Sequence, residues 1–183
     1  GCNLACQWCD TVFEGSDWRP SVGELADAVD TLAKTWGPGR LAVLTGGEPL
    51  RQEIAPFIDE LHRRHFVVQV ETSGSVWPSM GVPEGTLIVL SPKTPRVHRE
   101  AARRADTWKY VIEAGRVAED GLPDYSPQNN MAKPLARPWG EGVKPSDVYV
   151  QPCDPGVGRD DEAAANLDEA VRSTVRHGYR FSI

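Results

Sequence analysis

Apolar residues recur over residues 21–36 as Leu25, Ala26, Val29, Leu32, Ala33 and Trp36, which places them on one stripe of a helix. Ser21 followed three residues later by Glu24 forms a capping box at its start, and Gly37-Pro38-Gly39 ends it. The run Leu-Ala-Val-Leu-Thr at 41–45 predicts a short strand. A second helix is predicted over 51–65, with Ile54, Phe57, Ile58 and Leu61 on one face. Its last turn is basic (His62, Arg63, Arg64, His65), which suits the negative end of the helix dipole. Further short apolar strands are predicted at 66–71, 86–90, 107–112, 147–150 and 179–183. A helix at about 161–177 is expected to turn Ala164, Leu167, Ala170, Val171 and Val175 inward.

Short apolar strands separated by helices or long connections argue for parallel βα units and an α/β fold. The stretch 115–145 breaks that rhythm: it is rich in Pro and Gly and has no clean period. A connection of that length is usually functional or mobile. Four motifs each follow a strand: Thr45-Gly46-Gly47-Glu48-Pro49, Glu71-Thr72-Ser73-Gly74, Ser91-Pro92-Lys93 and Gln151-Pro152-Cys153-Asp154. The carboxyl ends of parallel strands are where such folds bind ligands, so these motifs are expected to converge on one face.

Composition narrows the class. A chain of 183 residues, 40% hydrophobic and 25% charged, suits a single globular domain with a sizeable core. A net charge of −6 without a concentrated Lys/Arg stripe argues against nucleic acid as the main partner. No apolar stretch has the length of a membrane span, and no signal peptide is visible. Of four cysteines, Cys2, Cys6 and Cys9 are crowded together, which is unlike a secreted disulfide framework and points to a reducing cytoplasm. The chain starts at Gly1, directly before Cys2, and stops inside an apolar segment at Ile183, so both edges are expected to be cut. The histidines (His62, His65, His98, His177) sit amid charge in or beside predicted helices and read as surface residues. No nucleophile–histidine arrangement has supporting context.

The chemistry concentrates in Gly1–Thr11, where Cys2, Cys6 and Cys9 stand as C-x3-C-x2-C. Thiolates are soft ligands that suit iron–sulfur clusters and zinc. Three of them in one loop can hold a metal centre with one coordination position open, an enzyme's arrangement. A structural zinc site is the alternative, with Cys153 or a histidine as fourth ligand, although zinc sites more often pair two knuckles. The Gly46-Gly47-Glu48-Pro49 segment alone is a strand-to-helix turn, whose glycines also let a ligand approach the backbone.

Together these residues resemble the radical S-adenosylmethionine (SAM) superfamily. The stretches GCNLACQWCDT, LTGGEPL, VETSGS, LSPK, WKYVI and VQPCD narrow the likeness to the 7-carboxy-7-deazaguanine synthase family. That resemblance implies a partial TIM-like (radical SAM) barrel of parallel strands, a single domain over 1–183. The family's segment and strand before the cysteine loop, and its C-terminal tail, are absent. It implies conversion of 6-carboxy-5,6,7,8-tetrahydropterin to 7-carboxy-7-deazaguanine with loss of ammonia, on the route to queuosine and other 7-deazapurines. A [4Fe–4S] cluster, SAM and Mg²⁺ are the implied cofactors. Cys2, Cys6 and Cys9 would hold the cluster, and Thr11 would be the Mg²⁺ ligand, unless it merely caps a turn. Thr45 would contact substrate. SAM would be met by Trp8, Cys9, Asp10, Gly47, Glu48, Ser91, Pro92, Lys93, Gln151, Pro152, Cys153 and Asp154, with Glu48 receiving its ammonium group and Cys153 serving as wall. Lys93 could otherwise be a solvated loop charge. The implied partners are the pterin and a reducing donor such as flavodoxin or ferredoxin, with no nucleic acid and no membrane; a homodimer is admitted. Ser73 departs from the Asn expected in many members. A glycyl-radical activating enzyme shares the cysteine and GGEP-like motifs and is the rival reading, as is a zinc-binding module without enzymatic activity.

Overall fold

A computed structural model describes residues 1–9, 11–12, 17–37, 39–128, 132–139 and 142–183, with no account of the Trp36 side chain. Six strands form one sheet: β1 (Leu41–Leu44), β2 (Val67–Thr72), β3 (Leu87–Leu90), β4 (Thr107–Ile112), β5 (Val148–Pro152) and β6 (Arg180–Phe181). They are paired in chain order and every pair is parallel. Among the described residues, four α-helices accompany them: α1 (Val22–Trp36), α2 (Ala55–Arg63), α3 (Arg99–Arg104) and α4 (Asp160–His177). β1 and β6 are edges, so the sheet is open rather than a closed barrel. Short apolar strands joined by crossovers leave parallel pairing as the arrangement that buries the helices on one side.

The strands alternate strictly. Val68, Val70 and Thr72 of β2, Ile88 and Leu90 of β3, Trp108, Tyr110 and Ile112 of β4, and Val148 and Val150 of β5 are buried. The intervening Gln69, Glu71, Val89, Lys109, Val111, Tyr149 and Gln151 are half-buried on the opposite face. Two apolar clusters lie on the helix side. One joins Ala26, Leu50, Ile58 and Leu61 to β2 and β3; the other joins Ala101, Ala102 and Ala170 to β4 and β5. Trp77 packs against both.

The helices correct several expectations. At α1 the capping box forms as read, with Ser21 accepting from the Glu24 amide, but Leu32 is 58% exposed because the buried stripe runs through Ala26. The second helix begins at Ala55, not at 51. Pro56 fits only a first turn, since it lacks the N–H an interior residue would donate, and residues 49–51 close a separate 3-10 turn instead. The short α3 leaves no apolar period in the sequence, because only Ala101 and Ala102 mark its buried side. The inward face of α4 is Asn166, Ala170 and Ser173, while Leu167, Val171 and Val175 face outward at 46%, 42% and 80% exposure. Apolar character therefore did not select that face. Small and polar side chains fit the close helix–sheet contact and bond the loops beneath.

The long connection after β4 is packed rather than loose where it is described. Leu122 and Leu135 enter the second apolar cluster, where a crossover helix would otherwise stand. The Tyr110 hydroxyl donates to the Ala136 carbonyl at 2.7 Å. Arg137 binds Asp120 at 2.6 and 3.1 Å and donates to the carbonyls of Pro123 and Leu135. These bonds satisfy polar backbone groups of the connection.

Candidate active site

The cysteine loop lies across the carboxyl ends of the strands and is held there by backbone contact. A Cβ at Gly47 would stand 2.5 Å from the Gly1 carbonyl oxygen and 2.9 Å from the Cys2 nitrogen. The adjoining Glu48 amide donates to that same carbonyl at 3.1 Å. Gly47 is therefore a glycine because the cysteine loop rests on it. Arg51 anchors the loop from the next turn, donating to the Cys2 carbonyl at 2.8 Å. Asn3 exchanges hydrogen bonds with Ser75 at 3.0 and 3.3 Å. Cys2 and Cys6 are half-buried and Cys9 is exposed, with the Cys9 amide turned back onto the Cys6 carbonyl at 3.1 Å.

Glu48 is 1% exposed. One carboxylate oxygen accepts from the Leu50 amide at 3.1 Å and the Thr72 hydroxyl at 2.6 Å. The other accepts from the Ser73 amide at 2.9 Å and from the Ser73 hydroxyl. Its donors come from the 3-10 turn at Leu50 and from the end of β2 at Thr72 and Ser73. A buried charge that accepts this many hydrogen bonds is a fastener between loops.

The third motif lies against the end of β2 and the Trp8 ring. The Ser91 amide donates to the Thr72 carbonyl at 2.7 Å, and Pro92 is buried. The Lys93 ammonium donates to the Ser91 carbonyl at 2.8 Å and hydroxyl at 2.5 Å, and lies 5.5 Å from the centre of the Trp8 ring. It is thus no solvated loop charge. Burial pulls its pKa down to about 8, with the Cys6 thiol counteracting and Lys109 adding to the fall. Burial likewise raises the Cys6 thiol, while Lys93 and the hydrogen bond from Gln128 work against that rise.

Trp8 and the residues after β5 line a cavity of about 660 Å³ together with Glu113, Arg159 and Asn166. Gln151, Pro152, Cys153 and Asp154 all border it. Burial, then Glu113 and Asp154, push the Cys153 thiol up to about 11. Asn166 ties α4 to this wall, accepting from the Ala114 amide at 2.8 Å and donating to the Cys153 carbonyl at 2.9 Å. Thr45 directly follows β1 and Thr11 follows the last loop cysteine; both are exposed. Asp10 lies outside the described residues.

Sequence reasoning missed Arg51, Glu113, Gln128 and Asn166. No motif marks them, and each acquires its role from a neighbour far away in the chain. Among the described residues, no three His, Cys, Asp or Glu side chains converge on a single metal ion. Three thiols spread over one loop suit a bulky cluster, whose separate irons each take one sulfur, better than a lone tetrahedral ion.

No family model matches the chain. A protein of Rhodospirillum rubrum named 7-carboxy-7-deazaguanine synthase is 43% identical over 188 residues, spanning 100% of this chain and 77% of the relative. A protein of the same name from Rickettsia prowazekii is 29% identical over 192 residues, spanning 100% of this chain and 74% of that one. Among solved structures, the crystal structure of QueE from Escherichia coli superposes with a TM-score of 0.62 at 21% identity, covering 99% of this chain and 80% of the other.

Proposed function

The chain belongs to the 7-carboxy-7-deazaguanine synthase family, and on that premise we propose that it converts 6-carboxy-5,6,7,8-tetrahydropterin to 7-carboxy-7-deazaguanine with release of ammonia. Supporting this reading is one observation above the others: the C-x3-C-x2-C loop is seated on the Gly47 backbone, at the carboxyl ends of parallel strands and beside a cavity walled by the fourth motif. The family is one of radical SAM lyases. Cys2, Cys6 and Cys9 would hold the [4Fe–4S] cluster. When bound, the cluster and SAM would supply the radical chemistry that the side chains alone cannot.

The chain's own residues orient and enclose. Trp8 offers an aromatic face to the adenine. Gln151, Pro152, Cys153 and Asp154 form one side of the SAM site, and Ser91, Pro92 and Lys93 its floor. Glu48 holds the two loops that flank it at fixed separation. Thr45 would meet the pterin from the end of β1. Thr11 would give a hydroxyl oxygen to Mg²⁺, a hard cation that also takes water and the substrate carboxylate.

Flavodoxin or ferredoxin would deliver the electron. The outward stripe of Leu167, Val171 and Val175 on α4 would suit a second copy of the chain in a homodimer. Among the described residues no helix is long and apolar enough to cross a membrane; the cytoplasm is the proposed place of action.

The test is anaerobic turnover after cluster reconstitution, with reductant, SAM and the pterin, with and without Mg²⁺. Formation of 7-carboxy-7-deazaguanine without net consumption of SAM is expected, faster with Mg²⁺. SAM cleavage that ignores the pterin would overturn the substrate, and Mg²⁺-independent turnover would overturn the Thr11 assignment.

A further inference from the structure

Gln128 stands in the long connection after β4, in a stretch with no assigned motif, yet it touches the cysteine loop in three ways. Its backbone pairs with Cys6 as an isolated antiparallel bridge, next to a hydrogen bond from the Gln7 amide to the Pro127 carbonyl at 3.2 Å. Its side-chain oxygen accepts from the Ala5 amide at 2.9 Å. Its side-chain nitrogen lies 2.9 Å from Cys6 Sγ, donating to it. The orientation of this carboxamide is unambiguous, because a backbone N–H can only donate, so Oε1 must face Ala5 and the NH₂ must face sulfur. Behind it, the Gln128 amide donates to the Ser126 hydroxyl at 3.2 Å, which donates to the Lys93 carbonyl at 2.7 Å. One residue thus joins the cysteine loop, held by its side chain, to the turn after β3, reached through its backbone amide and Ser126.

We propose that Gln128 is a positioning residue of the iron–sulfur centre, fixing the Cys6 rotamer and raising the reduction potential of the cluster by its N–H···S hydrogen bond. The inference rests on the cluster assignment made above. The physical reason is simple. Reduction adds negative charge, part of which falls on the ligand sulfurs, and a donor aimed at one of them stabilises the reduced state more than the oxidised. The neighbouring cation of Lys93 is directed elsewhere, at Ser91, so the amide is the group that addresses Cys6 sulfur directly.

Two variants separate the two roles. Gln128→Glu is close to isosteric and keeps an oxygen for the Ala5 amide, but at pH 8 it has no donor for sulfur. Gln128→Leu removes both bonds. The reconstituted protein is titrated anaerobically with mediators and followed by electron paramagnetic resonance and visible absorption, with iron and sulfide counted per chain. Gln128→Glu is expected to keep its iron and to show, at the wild-type midpoint, a reduced-to-oxidised ratio at least tenfold lower, which is 59 mV for one electron. Gln128→Leu is expected to fall in the same direction, with weaker cluster retention. Wild-type midpoints in Gln128→Glu at full iron content would overturn the proposal, whatever Gln128→Leu does. Wild-type protein that takes up no cluster would overturn the functional assignment itself, which the iron count reveals before any potential is read.

Discussion

Replacing Glu48 by Gln distinguishes a fastener from a ligand group. The wild-type carboxylate is 1% exposed and accepts from Leu50, Thr72 and both donors of Ser73. Glutamine keeps the oxygen facing Leu50 and Thr72 but sets an NH₂ against the Ser73 amide. The Ser73 hydroxyl can rotate to accept from it; the amide cannot. One buried N–H left without an acceptor costs about 1–3 kcal/mol. The remaining bonds lose their charge assistance, which roughly halves their strength. The sum is about 3 kcal/mol, and for a chain of this size about 2–4 °C is lost per kcal/mol, so Tm should fall by about 6–12 °C. The assay is thermal unfolding of the cofactor-free protein by circular dichroism, where no ligand can contribute. An unchanged Tm together with a large rise in the KM for SAM would refute the reasoning and return the carboxylate to the ligand.

Gly47→Ala brings a Cβ to 2.5 Å from the Gly1 carbonyl, so the cysteine loop must lift; iron uptake should drop severalfold while the circular dichroism spectrum holds, and full uptake would show that the contact yields freely. The two faces of α4 should respond oppositely. Ala170→Asp, at a position with 0% exposure, should unfold the chain or cost several kcal/mol, whereas Val171→Asp should stay within about 0.5 kcal/mol by urea titration and convert any dimer to monomer on sizing. Cys153 carries a pH signature. Its folded pKa is raised from 9.0 to about 11, so between those values the unfolded chain releases a proton that the folded chain keeps, and stability is lost as pH rises through that window. Urea midpoints of wild type against Cys153→Ala should diverge from pH 9 to 11, and parallel curves would show that the thiol titrates freely.

Much of the fold was legible in local pattern. The strand around Trp108 and Tyr110 emerges at the expected residues, and the capping box at Ser21 and Glu24 forms as read, because both depend on neighbours within a few positions. Pro56, which fits only a first turn, sets the start of α2 later than the apolar period alone suggests. The face of α4 was not legible: Leu167, Val171 and Val175 form as good a stripe as any buried one, and what turned Asn166 and Ser173 inward are partners at Ala114, Cys153 and Gly121.

The same division holds at the site. The identity of the donor set was written in the chain, since three cysteines in one loop with a Gly-Gly-Glu-Pro turn carry their chemistry in residue type and spacing. What those residues do for one another was decided by tertiary structure. Gly47 serves a backbone that sequence alone could not bring to it, Glu48 meets Thr72 and Ser73 from the end of β2, and Gln128 reaches Cys6 only because the connection after β4 folds back over the strand ends. Spacing encodes contacts along a turn or a loop. Contacts between segments far apart in the chain arise when parallel strands align their carboxyl ends, and no local pattern records that alignment.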